Sequence, residues 1–309
     1  MASAAKSSFF ILAVFFAMAK VSASAQAAWP FTEGSEKPPA EPTLFIVPAE
    51  SNSADKLGLR FDDGNLPSSQ GRNIVVATHG WFERELWPRD LAILIKDKVD
   101  ANEWACGWFD WRSEARVINP TDAAKYARDT AGPMLAKQIL QVSKNPRHIH
   151  LIGHSAGCWL ISEAAKQLAK ETNASIHLTF LDAYVPPQWK EDGLGDFTNE
   201  PNLVCWADHY FTRDVTLKMT ERWLTHAHNV DIGDITPGVK DHEFPRYWYP
   251  ATVLGKYVPN DRYDGKQIFY KIGDTDYGFM RSLESGLANW KQSLLLPCGN
   301  EAVVLTKPR

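Results

Sequence analysis

The chain of 309 residues carries 33 Lys and Arg against 37 Asp and Glu, a formal net charge of −4, with 44% apolar and 23% charged residues. That composition allows one sizeable core without disulfide or metal staples, so one large domain is expected. No basic face is evident that would neutralise phosphates, which excludes nucleic acid as the expected partner.

At the amino terminus, Lys6 precedes an uninterrupted apolar stretch from Phe9 to Met18, then Val21-Ser22-Ala23-Ser24-Ala25. A basic start, a short apolar run and small residues make residues 1–27 an export signal, and cleavage after Ala25 or Ala27 satisfies the small-x-small rule. The run is too short to span a bilayer comfortably, and no later segment offers about 18 continuous apolar residues. The expectation is a periplasmic or secreted protein without a stable membrane span. Loss of Lys6 and Lys20 with the leader lowers the basic count from 33 to 31 against 37 acidic residues. Cys106, Cys158, Cys205 and Cys298 all lie in the exported portion, where an oxidising compartment permits disulfides. Three pairings are open, and buried thiols are an equal reading for Cys106 and Cys158. With no Cys-x-x-Cys, neither a metal nor a cofactor is expected.

Residues 28–42, rich in Pro, read as an extended leader, and residues 43–309 as one domain. Thr43 to Pro48 and Lys56 to Phe61 are short strand candidates, and Asn73 to Gly80 (NIVVATHG) is a β-branched run suited to a strand buried on both faces. Arg89 to Asp100 has helical spacing, and Glu103 to Trp111 (EWACGWFDW) returns to strand character. Thr121 to Asn145 reads as a helix with a break or kink at Gly132-Pro133. His148 to Gly153 is a strand, Ser155 to Lys170 a helix, Ile176 to Asp182 a strand and Leu203 to Phe211 another. Residues 185–202 form an excursion without periodicity. In the extension from about residue 251, Gly278 to Leu294 fits a helix and Glu301 to Thr306 a last strand. Strands and helices taking turns predict an α/β fold: a mostly parallel, doubly wound sheet with helices on both faces.

Within that pattern, Gly153-His154-Ser155-Ala156-Gly157 joins a strand to a helix. Nucleophilic catalysis needs a serine hydroxyl presented at the carboxyl end of a strand, on a turn so tight that flanking side chains would collide with the backbone. Ser155 between two glycines meets that requirement; the other reading is a helix-capping serine. The helix that follows directs N–H groups toward the same spot, favouring negative charge on a substrate. For the oxyanion, one donor would be the amide of Ala156. The second would be the amide of Trp81, aimed by the turn at Gly80 after the earlier strand, with His79 ordering that loop.

The succession of a strand with His79-Gly80-Trp81, a strand with Phe109-Asp110-Trp111, the GHSAG elbow and a strand with Leu181-Asp182 resembles the pancreatic-lipase-like branch of the α/β-hydrolases, over roughly residues 72 to 250. The resemblance implies serine esterase chemistry with the acid after the strand that follows the elbow, here Asp182. That branch commonly reads Leu-Asp-Pro-Ala where this chain reads Leu-Asp-Ala-Tyr. Other α/β-hydrolases place the acid one strand later, which nominates Asp208 or Asp214. A base following the acid in chain order leaves His226, His228 and His242. Asp241 to Tyr249 (DHEFPRYWY) resembles the family loop in which the base precedes an aromatic helix start, which favours His242.

The same resemblance shows what this chain lacks. Seven residues separate Asp234 from His242, too few for the long lid of interfacial lipases. Only 60 residues follow Tyr249, against the roughly 100 of a β-sandwich domain. The expected activity is therefore cleavage of a soluble or short-chain carboxylic ester, with lipid esters as a subset. Trp81, Trp111, Trp159 and Trp189 are candidates to line an apolar acyl pocket, each with ordinary packing as the alternative. A non-catalytic relative that binds an apolar ligand, and a serine peptidase or amidase on the same scaffold, are the other readings.

Overall fold

Runs of β-branched and apolar residues set the strands of this protein. The computed structural model describes residues 45–46, 57–62, 72–196, 205–213, 219–236, 241–255, 277–294, 299 and 302–306. The export signal, the 28–42 leader, residues 197–202 of the excursion, Asp214 and Cys298 lie outside the described residues. The strands are β1 (Phe45–Ile46), β2 (Gly58–Phe61), β3 (Asn73–Thr78), β4 (Trp104–Asp110), β5 (His148–His154), β6 (Ser175–Leu181), β7 (Cys205–Phe211), β8 (His228–Asp231) and β9 (Ala302–Val304). They form one sheet in the order β1-β2-β4-β3-β5-β6-β7-β8-β9. β1 and β2 run antiparallel to their neighbours, and every pairing from β4 to β9 is parallel.

Parallel neighbours require crossover helices, which cover both faces of the sheet. The helices are α1 (Trp87–Lys96), α2 (Arg112–Ala115), α3 (Pro120–Tyr126), α4 (Gly132–Val142), α5 (Gly157–Glu171), α6 (Phe244–Leu254) and α7 (Trp290–Ser293). Alternation along β3 feeds two cores. Ile74 and Val76 join α3, α4 and α5 on one face, whereas Val75 and Ala77 join α1 and α6 on the other. All six residues of β3 are buried, as a strand covered on both sides demands. This is the α/β-hydrolase architecture.

Two predicted elements differ from what forms. Gly132-Pro133 does not break its helix: Ala127–Ala131 is a π-helical turn through which the chain passes from α3 to α4. Proline removes one N–H and crowds the carbonyl four residues back, and the wider turn places that misfit ahead of Pro133. Residues Gly278 to Leu294 form two 3-10 turns (Gly278–Arg281, Leu283–Ser285) and the short α7 instead of one helix. Gly278 (φ 68°) and Gly286 (φ 67°) are left-handed and interrupt a helical path.

Candidate active site

Among the described residues, three non-glycine residues have positive φ: Phe82 (54°), Ser155 (55°) and Asp182 (46°). Each follows the carboxyl end of a central parallel strand, β3, β5 or β6. A left-handed L-residue costs on the order of 1–3 kcal/mol, and such strain persists only where the surroundings enforce it. Here adjacent strands do so: Ser155 N–H donates to Leu181 O at 3.0 Å and Asp182 N–H to Tyr210 O at 2.8 Å.

The elbow around Ser155 is packed against backbone on every side. A Cβ on Gly153 would lie 2.8 Å from Gly157 O, and one on Gly157 only 2.3 Å from His79 O. A Cβ on Gly80 would sit 2.7 Å from Ser155 Cβ and 3.3 Å from its Oγ, so the loop after β3 runs directly against the serine. Ser155 itself lies outside α5, which starts at Gly157. Ala156 stands at the amino end of that helix, where amides have no partner within the helix. Ser155 Oγ makes no hydrogen bond among the described residues, a contact that commonly tightens only with substrate bound.

His79 and Trp111 brace the loop. Trp111 N–H donates to His79 Nε2 at 3.1 Å, Trp111 Nε1 donates to His79 O at 3.0 Å, and the two rings stack at 5.3 Å. Beneath them, Asp110 accepts two hydrogen bonds from the Arg112 guanidinium, at 2.9 and 2.8 Å. Burial would raise the Asp110 carboxyl, but the neighbouring His79 ring and the hydrogen bonds from Arg112 hold it below the ordinary carboxylate range. The sequence pairs HGW and FDW therefore form one scaffold, with Trp81 Nε1 tied to Val117 O at 2.7 Å.

Asp182 and His242 come together although 60 positions separate them: His242 Nδ1 lies 2.6 Å from Asp182 Oδ2. The other carboxylate oxygen accepts Thr212 N–H at 2.7 Å, while Thr212 Oγ1 donates to Asp241 O at 3.0 Å. One threonine just past β7 thus fixes both the carboxylate and the backbone before the histidine. His154 Nε2 donates to His242 O at 3.0 Å and holds that loop from the elbow side. Burial pushes the Asp182 carboxyl up, to about 6, against the opposing effect of His242 and Thr212. For His242, burial would lower the imidazole, but the Asp182 hydrogen bond and charge, with Glu243 and Asp241, raise it overall.

The other acid and base candidates lie elsewhere. Asp208 is buried inside β7 with Oδ2 2.9 Å from His177 Nε2, away from His242. His228 lies in β8 beside Asp208 in register and stacks on Tyr277. His226 is half-buried, its carbonyl 3.1 Å from where a Cβ on Gly195 would lie. Of the tryptophans, Trp111 has no exposed surface and is held between His79 and Tyr126, so it props the loop instead of facing a pocket. Trp159 is buried too, Nε1 donating to Tyr184 O at 2.8 Å, and meets Trp189 edge-on at 4.6 Å. Trp189 is half-buried, with the Arg128 guanidinium 4.1 Å above its ring. Cys158 is a buried thiol donating to Gly153 O at 3.2 Å.

Two supports escape a reading by motif. Asn229 accepts from Leu224 N–H and from His209 Nδ1, and His209 Nε2 in turn accepts the amide of Ala183 beside the acid. Arg246 is buried and gathers Glu83, Glu85 and Glu243 around one guanidinium, joining the loop after Trp81 to the start of α6. Alternating polar residues inside apolar strands were the available signal for the first; the second pairs positions 163 apart.

The fold and this rim define an α/β-hydrolase scaffold. Residues 62–186 match a family described as "Alpha/beta hydrolase of unknown function (DUF900)". No curated protein matches the chain. Among solved structures, similarity extends to a dienelactone hydrolase-like promiscuous phosphotriesterase, P91, from metagenomic libraries, at 15% identity and TM-score 0.32, covering 58% of this chain and 78% of that one. Aspergillus fumigatus lipase B is similar at 10% identity and TM-score 0.31, covering 52% of this chain and 42% of its own. Esterase PE8 is similar at 14% identity and TM-score 0.29, over 46% of this chain and 84% of its own.

Proposed function

We propose that this protein is an exported serine hydrolase that cleaves carboxylic esters of small or lipid-like molecules. Ser155 Oγ bonds to the ester carbonyl carbon as its proton passes to His242 Nε2. The carbonyl oxygen takes up the negative charge and is held by the amides of Trp81 and Ala156. Collapse of that intermediate expels the alcohol, which takes the proton from His242 and leaves an acyl group on Ser155. Water then repeats the sequence and releases the acid. Asp182 keeps the His242 hydrogen on Nδ1, so that Nε2 presents its lone pair, and steadies the imidazolium.

The observation that carries the reading is the 2.6 Å contact between His242 Nδ1 and Asp182 Oδ2 at the rim where Ser155 stands at φ 55°. No helix among the described residues is long and apolar enough to cross a membrane. Export is read from Lys6 and the apolar run Phe9 to Met18.

Labelling with a fluorophosphonate, followed by mapping of the modified residue, tests the nucleophile directly. Modification at Ser155 is expected, together with hydrolysis of p-nitrophenyl esters that Ser155→Ala reduces by about 10⁵-fold or more. Labelling elsewhere, or undiminished turnover in Ser155→Ala, would sink the assignment.

A further inference from the structure

His154, the residue before Ser155, has one ring nitrogen engaged and one idle. Its Nε2 faces the His242 carbonyl oxygen at 3.0 Å. A carbonyl only accepts, so Nε2 carries the hydrogen, and Nδ1 of the neutral ring keeps its lone pair. That Nδ1 is buried without a hydrogen-bond partner, in a side chain only 3% exposed. A buried polar atom left in this state is costly and uncommon. His242 offers the complementary atom: with Nδ1 held by Asp182, its Nε2 has the available lone pair.

Beside these two rings stands a carboxylate. One ring nitrogen each from His154 and His242 and one Glu243 oxygen lie within 4.8 Å of one another. On the His242 side the local charge favours a cation, with Asp182, Glu243 and Asp241 nearby, while Arg246 acts against one at His154. Arg246 is the single guanidinium among Glu83, Glu85 and Glu243, with Glu243 at 2.5 Å and Glu85 at 3.5 Å, so three negative charges meet one positive charge. Donors of two imidazoles and one carboxylate suit zinc and its neighbours, whereas calcium and magnesium seek oxygen. Zinc–nitrogen bonds of about 2.0–2.1 Å put tetrahedral ligand atoms roughly 3.3 Å apart, within reach of small side-chain adjustments.

We propose that His154, His242 and Glu243 form a binding site for a divalent transition-metal ion, and that its occupation silences the hydrolase by taking the lone pair His242 needs as base. The binding half rests on geometry alone; the silencing half rests on the serine-hydrolase reading. No electron changes hands: the ion binds the lone pairs of the neutral rings, a proton on His242 Nε2 leaves to solvent as the ion binds, and the fourth coordination position goes to solvent. The ligands lie 88 positions apart in sequence, across β5 and the start of α6, which is why no metal motif announces them.

The test uses the full protein stripped with EDTA and titrated with ZnCl2 by calorimetry and with CoCl2 by visible absorption, alongside ester turnover. One ion per chain, tetrahedral Co(II) bands and an EDTA-reversible loss of turnover are expected. Glu243→Gln and His154→Asn should each weaken binding about 10-fold or more, judged for each variant against its own metal-free state. Ser155→Ala keeps the three ligands and should bind the ion as wild type does. If wild type hydrolyses no ester yet Ser155→Ala binds one ion that Glu243→Gln loses, the site stands and the hydrolase reading fails. No heat and no Co(II) bands with wild type, or equal binding by Glu243→Gln and His154→Asn with circular dichroism unchanged, overturns the site.

Discussion

Residue identity matters most at Asp182, whose two oxygens have different tasks: one receives His242 Nδ1 and the other receives Thr212 N–H. Asn at this position keeps the shape and can place its amide toward the ring, which leaves the imidazole hydrogen on the wrong nitrogen. In Asp182→Asn, kcat should fall by about 10⁴-fold with KM little changed, as measured by steady-state ester hydrolysis. The pH profile gives an independent reading. His242 must be neutral to accept the Ser155 proton, and its pKa is raised above the ordinary 6.5, chiefly by Asp182 working against burial. The acid limb of kcat/KM should therefore lie above pH 6.5 in wild type and move to lower pH in Asp182→Asn, whose residual activity is followed by stopped assays from pH 5 to 9.

Elements meet closely where α4 starts. A Cβ on Gly132 would lie 2.7 Å from Leu160 O and 2.9 Å from Glu163 Cβ, both on α5, so this glycine sets the distance between the two helices. Gly132→Ala gains helix propensity but forces α4 away from α5, and the loss should prevail by about 1–3 kcal/mol in urea unfolding, with fluorophosphonate labelling of the folded protein retained. The same place shows where sequence and structure part company. Gly-Pro announces a helix end, yet the tertiary demand for close packing against α5 keeps the path helical and moves the irregularity to the π turn at Ala127–Ala131. β3 was legible from its β-branched apolar run, and β5 and β6 from apolar residues that alternate with histidine, serine or threonine in strands buried on both faces. The Ser155 turn was legible because Gly153 and Gly157 are required by backbone contacts that no side chain survives. His242 was reachable only through chain order and family resemblance, and the roles of Thr212, Asn229 and Arg246 depend on partners brought close by the fold: Asp182 for Thr212, His209 for Asn229 and Glu83 for Arg246.

Across the whole molecule, the carboxyl-terminal turns close one end of the sheet over a buried polar cluster. Glu284, in the second 3-10 turn, is hydrogen-bonded to His150 Nδ1, and His150 Nε2 contacts Thr179 Oγ1 at 2.8 Å. His150 stacks on His177 at 3.9 Å, and His177 meets Asp208. Burial acts to raise Glu284, but the charge and hydrogen bond of His150, with His148 and His177 nearby, bring its carboxyl down to about 2. A carboxyl whose folded pKa lies below its unfolded value adds stability at neutral pH that declines from about 4.5 downward and is spent near 2. Glu284→Gln should thus be less stable than wild type at pH 7 by roughly 3 kcal/mol, with the difference closing as pH falls through that window. Asp208 has the opposite sign: burial raises it to about 6, so ionisation costs the folded state stability as pH climbs from about 3.8 to 6. Asp208→Asn should accordingly gain on wild type across that interval and hold its advantage above it. Urea unfolding of the three proteins from pH 3 to 8 separates the two effects, and a Glu284→Gln difference that stays constant with pH would show that folding does not shift the Glu284 carboxyl. The edge strand β9 pairs with β8, whose far end leads toward His242, so the same unfolding curves followed by fluorophosphonate labelling should show Ser155 reactivity lost together with the global transition and not before it.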